Sequence, residues 1–433
     1  MNTFIDKLSE KLLPLAAKLG ENRYLLVIRD AFMLAFPLTM FGSIIVVLNN
    51  LPFFSSELQG TLNSLLGNGQ NATMSILSLF VSFGIGYYLS RSYDVDPVFG
   101  GAISLSSFLI LTPFFTTTEA GEEVGGVLTT ARLGAEGMFV AMIAAFVAAE
   151  IYVRLTKRGF TIKMPEQVPA AVSRSFSAMI PAIITLGFFT LLNALVTTAL
   201  NTNMHDLIFT LVQRPLLALG SGLPATLVAL FFVQLLWFFG LHGQIIVNSV
   251  MDPIWNTLML ENLEAYEAGE ALPNIITKPF IEIYTVGMGG SGMTLMVVIM
   301  MAFVMKSRQL KDVGRLAVAP GLFNVNEPVI FGLPIVLNAT ILIPWLLTPL
   351  VVTTFNYTMM NLGIFPTPTG VAVPWTVPVF FNGMLATNSV MGGVLQLIDL
   401  ALIAGIWFPF LKALDKANLR DDIATSTTDS VNS

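Results

Sequence analysis

The sequence predicts an all-α, polytopic membrane protein of about ten transmembrane helices, with re-entrant hairpins and interfacial amphipathic helices. Three observations carry this. Of 433 residues, 55% are hydrophobic and only 11% charged, whereas an average soluble domain is about 25% charged. Mean hydropathy is +0.76. Uncharged apolar runs of about 20 residues, the length that spans a bilayer, recur along the chain. A β-barrel would show short alternating segments instead, and these are absent.

The elements follow in order. Phe4, Leu8, Leu12, Leu15 and Leu19 recur at helical spacing, so residues 3–20 read as an amphipathic helix on the membrane surface, kinked at Pro14. Asp6, Lys7, Glu10, Lys11 and Lys18 interrupt it, and no small-residue cleavage site follows, which argues against a signal peptide. Apolar spans fall near 30–49, 72–90, 97–116, 137–154, 178–200, 222–240, 244–259, 283–305, 336–358 and 391–411. The seventh is short enough to be re-entrant. Residues 160–177 read as an interfacial linker, and Asp206–Ala218 as a second such segment. The polar, Ser/Thr/Asp-rich residues 417–433 are expected to be disordered.

Orientation follows the basic residues. Lys7, Lys11, Lys18, Arg23 and Arg29 precede or begin the first span. Arg154, Lys157, Arg158, Lys163 and Arg174 lie between the fourth and fifth. Lys306, Arg308, Lys311 and Arg315 follow the eighth, and Lys412, Lys416 and Arg420 follow the last. With ten spans all four clusters share one side, the cytoplasmic side, together with both termini. The expected location is the plasma membrane, with loops 50–71, 117–136 and 260–282 facing outward.

The halves differ in texture. Residues 1–175 hold conventional spans and read as a packing or assembly half. Residues 176–416 read as the transport half, because 220–390 is broken by Gly220, Gly287–Gly292, Pro320, Pro328, Pro334, Pro366, Pro374 and Pro378. Non-helical backbone at membrane depth is tolerated where it lines a cavity or is buried in protein, and in transporters such breaks point to the substrate.

Several chemistries are excluded. Without cysteine there is no disulfide, thiolate metal site or cysteine-based intermediate in this chain. His205 and His242 stand far apart in sequence, so no histidine metal cluster and no cofactor is expected. There is no basic patch suited to nucleic acid.

Two residues stand out by isolation. Glu327 is the single charged side chain between Arg315 and Asp399, in Asn324-Val325-Asn326-Glu327-Pro328. It reads either as a carboxylate tying down a broken helix or as a ligand group, and intramembrane acids are functional by default. Pro328 favours an extended backbone at Glu327. Asn324 and Asn326 add amide donors and acceptors suited to hydroxyl-rich ligands. His242 is the only ionisable acid–base group between Arg214 and Asp252, flanked by Leu241 and Gly243 in Gly240-Leu241-His242-Gly243. Gln244 and Asn248 extend a polar pocket around it. Trp237, about one and a half helical turns earlier, and Trp375, after a Pro/Gly-rich break, can each offer a flat face to a sugar ring. Asn382 joins the substrate-binding group.

Gly240-Leu241-His242-Gly243 and the segment from Asn324 to Pro334 resemble the two signature segments of EIIC, the sugar permease of the bacterial phosphoenolpyruvate-dependent phosphotransferase system. The branch resembled is lactose/cellobiose/diacetylchitobiose, and the likeness covers essentially the whole chain. It implies a homodimer in the lipid bilayer, built by the first five helices, and a second half with two re-entrant hairpins that binds a β-linked disaccharide. Glu327 and His242 match the pair that contacts the hydroxyl to be phosphorylated. Asn324 and Trp375 match further sugar contacts, as does Trp237. The implied phosphate donor is a cysteine on EIIB. With no cysteine here, EIIB must be a separate cytosolic protein, fed through EIIA, HPr and enzyme I. The function expected is thus group translocation, with an elevator-like motion and Glu327 or His242 as base. A cation-coupled secondary sugar transporter with Glu327 as its proton site is the alternative. An intramembrane hydrolase fits worse, for want of a metal constellation or a nucleophile–base pair.

Overall fold

The computed structural model of the chain describes residues 21–432 except 50–53, 118–121, 166, 286, 334, 336 and 337, and leaves undescribed some side chains, including those of Glu327 and residues 421–432. The surface helix expected over residues 3–20 lies outside the described residues. Helix dominates what is described, relieved by one short antiparallel hairpin, β1 (Phe115–Thr117) with β2 (Glu123–Gly125).

The first bundle is built from α1 (Arg23–Asn49), α2 (Ser56–Asn71), α3 (Leu77–Ser92), α4 (Pro97–Leu111), the short α5 (Thr130–Leu133), α6 (Met138–Lys157) and α7 (Ala170–Ala199). Helices α1, α3, α4 and α6 pack on one another around Ala31, Val81, Ile85, Phe108, Met138 and Ala145. The α3–α4 contact is close because small residues face each other. A Cβ at Gly86 would collide with Ser104 and with the carbonyl of Gly100. Small residues take this role between membrane helices, since lipid leaves no hydrophobic drive for helix association.

Two short helices, α8 (Met204–Ile208) and α9 (Arg214–Gly220), joined by a π turn at Phe209–Gln213, lead to the second bundle. It comprises α10 (Leu223–Phe238), α11 (Gly243–Ala268), α12 (Lys278–Tyr284), α13 (Leu295–Phe303), α14 (Arg308–Leu322), α15 (Glu327–Gly332), α16 (Ala339–Asn361), α17 (Phe381–Thr387) and α18 (Val390–Asn432). One core gathers Trp237, Val297, Ile330, Trp345 and Trp407, and another Trp255, Phe280, Tyr284 and Leu395. Helix α11 also touches α1 and α6, which joins the two bundles.

By length and composition, six helices among the described residues can cross a membrane: Arg23–Val46, Glu57–Ser92, Met138–Lys157, Ala170–Ala199, Thr340–Asn361 and Val390–Arg420. Met204–Ala218 with Leu223–Phe238, bent by 69°, would make a seventh.

The structure departs from the sequence reading in four places. The apolar run 283–305 is not one helix: Gly289, Gly290 and Gly292 all take positive φ, and the run divides into α12 and α13. Residues 56–71, expected as loop, form α2, started by Ser55, whose hydroxyl accepts from the Leu58 amide at 3.3 Å. Helix α11 runs on to Ala268, beyond the expected border at 259. Helix α18 continues through 417–432, where polar composition suggested disorder. Extending a helix already formed avoids the cost of nucleation.

Candidate functional site

Polar residues that stand far apart in sequence meet at one cavity of about 360 Å³, between α1 and the second bundle. Its wall includes Trp237, His242, Gln244, Asn248, Asn324, Asn326 and Trp375, all expected from the sequence.

His242 owes its position to two glycines. Gly240 turns the chain at a φ of +81°. Gly243 lets α11 start against α10, where a Cβ would strike the Val233 carbonyl. His242 then caps α11, its Nδ1 accepting from the Ile245 amide at 3.4 Å. Its ring lies 4.4 Å from that of Trp237, centroid to centroid, tilted by 46°. Trp237 is itself buried, and its Nε1–H has no partner among the described residues.

Asn324 and Asn326 serve the backbone first. Asn324, at a φ of +64°, accepts from the Gly289 amide at 2.7 Å. It donates to the carbonyls of Trp375 at 2.6 Å and Val377 at 3.1 Å. Asn326 donates to the Ser291 carbonyl at 2.6 Å. The two amides therefore clamp the glycine-rich loop at 287–292 to the segment bearing Trp375. The Trp375 indole, 48% exposed, is left facing open space at the cavity wall. Glu327 begins α15 directly after Asn326, so its backbone joins this cluster, while its side chain lies outside the described set. Asn382 is different: it is buried in α17, donates to the Val377 carbonyl at 3.1 Å, and is not among the residues lining the cavity.

Sequence reasoning missed part of the wall. Arg29 and Met33 of α1 line it, as do Asp252, Lys278, Glu282, Gly287, Gly290 and Ser291. Lys278 Nζ lies 2.5 Å from Asp252 Oδ1 and 3.2 Å from Glu282 Oε1. With the Asn248 amide in the orientation that satisfies both its ends, Asn248 Oδ1 accepts from Lys278 at 3.3 Å. A signal was present. Ile245, Asn248 and Asp252 follow His242 at spacings of three and four residues, which puts them on one face of α11.

The wall is mixed in character: amides, carboxylates and an imidazole offer polar groups, and the indoles of Trp237 and Trp375 offer apolar surface.

Comparison with known proteins shows the family. Residues 29–349 match the family described as "Phosphotransferase system, EIIC". The chain is 60% identical over 418 residues to the oligo-beta-mannoside-specific EIIC component of Bacillus subtilis (strain 168), covering 96% of this chain and 95% of that one. It is 39% identical to the cellobiose-specific EIIC component of Geobacillus stearothermophilus, covering 99% and 98%. Its fold matches the crystal structure of ChbC, the IIC component from the N,N'-diacetylchitobiose-specific phosphotransferase system. The TM-score is 0.91 at 40% identity, over 96% of this chain and 99% of that one.

Proposed function

The chain belongs to the EIIC family of the phosphotransferase system, and from that premise we propose that it is the permease for a β-linked disaccharide. The observation that carries this reading is the cavity itself. Its volume of about 360 Å³ falls in the range of small-molecule sites, about 300–1,000 Å³. Paired indoles and a polar wall suit pyranose rings, which are apolar on their faces and hydroxylated at their rims. The names of the relatives favour β-linked mannose or glucose units, of the oligo-β-mannoside and cellobiose type, with chitobiose and lactose as neighbouring choices.

In this reading residues 1–175 form the interface of a homodimer. Residues 176–416, with re-entrant segments around His242 and Glu327, carry the sugar across the membrane by an elevator-like motion. Both termini stay in the cytoplasm. A separate EIIB, recharged through EIIA, HPr and enzyme I, brings its phosphorylated cysteine to the inward-facing site. The sugar hydroxyl attacks phosphorus; the P–O bond forms as the P–S bond breaks, and the thiolate leaves with the electron pair. Glu327 takes the hydroxyl proton and His242 orients the oxygen.

The test is a binding screen of the purified protein against mannobiose, cellobiose, chitobiose and lactose, followed by uptake in cells with and without the cytosolic phosphotransferase proteins. The reading expects tight binding of at least one β-disaccharide and accumulation of its phosphate. Uptake of unmodified sugar in cells without those proteins would make the chain a secondary transporter instead, with Glu327 as its proton site.

A further inference from the structure

Asp399 sits in α18 and Asn356 in α16, two helices long and apolar enough to cross a membrane. Both side chains are fully buried, and neither lines the cavity described above. A carboxylate in such a place is costly unless something offsets its charge. No arginine, lysine or histidine makes an ion pair with Asp399 among the described residues.

The polar contacts of the pair are one-sided. Asn356 Nδ2 donates to Asp399 Oδ2 at 3.0 Å and to the Tyr284 carbonyl at 2.8 Å. Asp399 Oδ1 and Asn356 Oδ1 are left over. Both are buried acceptors, and neither has a partner among the described residues. The neighbouring donors are committed elsewhere. The Tyr284 hydroxyl donates to the carbonyls of Gly383 at 3.0 Å and Gly392 at 3.1 Å. Gln396, three residues before Asp399, donates to the Ile283 carbonyl at 3.2 Å. Thr353, three residues before Asn356, is buried with its own hydroxyl unpartnered, so it reaches neither oxygen.

One proton removes all these defects together. On Asp399 Oδ1 it cancels the charge and turns that oxygen into a donor, and Asn356 Oδ1 gains the hydrogen bond it lacks. Acid and amide then close a ring of two hydrogen bonds. We propose that Asp399 is a proton-binding site of the second bundle, holding its proton at neutral pH and sharing it with Asn356 Oδ1. The neutral pair ties α18 to α16. Through the Tyr284 carbonyl it also ties both to the end of α12, just before the glycine-rich loop at 287–292. The site is distinct from Glu327 and requires neither sugar nor EIIB.

The experiment is infrared difference spectroscopy of the purified full chain at neutral pH, wild type against Asp399→Asn. The expected result is a C=O stretching band of a protonated carboxylic acid, shifted by isotope-labelled aspartate and lost in the variant. A difference spectrum that shows only an ionised carboxylate overturns the proposal. Thermal unfolding gives a second reading. Asparagine at 399 offers an N–H where the acid offers an O–H, so Asp399→Asn is expected to unfold at the wild-type temperature. Asp399→Leu leaves Asn356 unpaired and is expected to lower that temperature by roughly 2–4 °C. Equal losses in the two variants, or a wild-type unfolding temperature raised by sodium and not by potassium, would mean that a metal cation neutralises the carboxylate, and the proton site would fall. Should Asp399→Asn fail to fold, Asn356→Leu takes its place. It strips the acid of its partner, and the aspartate band is expected to shift; an unmoved band refutes the shared proton.

Discussion

The side-chain amide of Asn324 donates to the carbonyl of Trp375 at 2.6 Å, across 51 residues of sequence. Its Oδ1 holds the Gly289 amide at the same time. One buried side chain thus fixes the glycine-rich loop against the segment that presents an indole to the cavity.

Asn324→Ala removes all these bonds and leaves buried backbone groups unpaired. It also puts alanine at a φ of +64°, which asparagine tolerates better. The expected loss of stability is about 2–4 kcal/mol, read as a lower unfolding temperature in detergent. Sugar affinity is expected to fall with it. Normal stability and normal binding would show that the clamp is dispensable.

Gly290→Ala probes the same loop from the other side. Gly290 has a φ of +83°, and a Cβ there would collide with the Asn326 side chain. Backbone strain of this kind costs about 1–3 kcal/mol. Sugar binding should weaken by at least tenfold, while far-UV circular dichroism keeps its helical signal. Isothermal titration with sugar checks it; unchanged affinity would mean that the loop can shift without moving the wall.

Much of the helical framework was legible, because apolar runs between 30 and 260 coincide with α1, α3, α4, α6, α7, α10 and α11. The break between α12 and α13 was not. Residues 283–305 carry no charge, and an apolar composition is shared by a membrane helix and by a loop buried in protein. The site was half legible. Glu327 and His242 announce themselves by isolation, but Asp252, inside α11, and Lys278, at the end of a loop rich in other charges, do not. Their partnership, 26 residues apart, exists only once α12 folds back on α11. Asn382, expected at the site, is buried in α17 and donates to the Val377 carbonyl.

The assembly can be tested cleanly because the chain has no cysteine. Phe41 and Ile44 on α1 are exposed, as are Phe303 and Leu316 in the second half. If residues 1–175 build the dimer, Phe41→Cys or Ile44→Cys is expected to give cross-linked dimers in membranes, and Phe303→Cys or Leu316→Cys to stay monomeric on gels. The reverse pattern would refute the division of labour.

The basic clusters give the orientation its own check. Lys157 and Lys306 are exposed on the protein surface. They are expected to be shielded from impermeant amine reagents in intact cells and labelled in inverted vesicles. Mass spectrometry that finds either one modified from outside would reverse the proposed topology.

The last prediction concerns Glu327 and His242 together. Glu327→Gln keeps size and hydrogen-bonding capacity but removes the charge and the base. If Glu327 only ties down the start of α15, the variant should bind and transport nearly normally, because an amide pairs with many of the same groups. If it accepts a sugar hydroxyl, binding should weaken by about 1.5–3 kcal/mol, the value of a hydrogen bond to a charged group. If it is also the base, phosphorylation at saturating sugar should fall by a further factor of about 100 or more. His242 needs a variant that separates two roles, since its Nδ1 caps α11. Asparagine is a good N-cap, so His242→Asn preserves the start of the helix while removing the imidazole. We expect it to fold as wild type, to lose sugar affinity, and to lose the ring contact with Trp237. A Glu327→Gln protein that binds sugar normally and supports full phosphorylation with its EIIB would remove the carboxylate from the mechanism. His242 would then be left to orient a hydroxyl whose proton goes elsewhere.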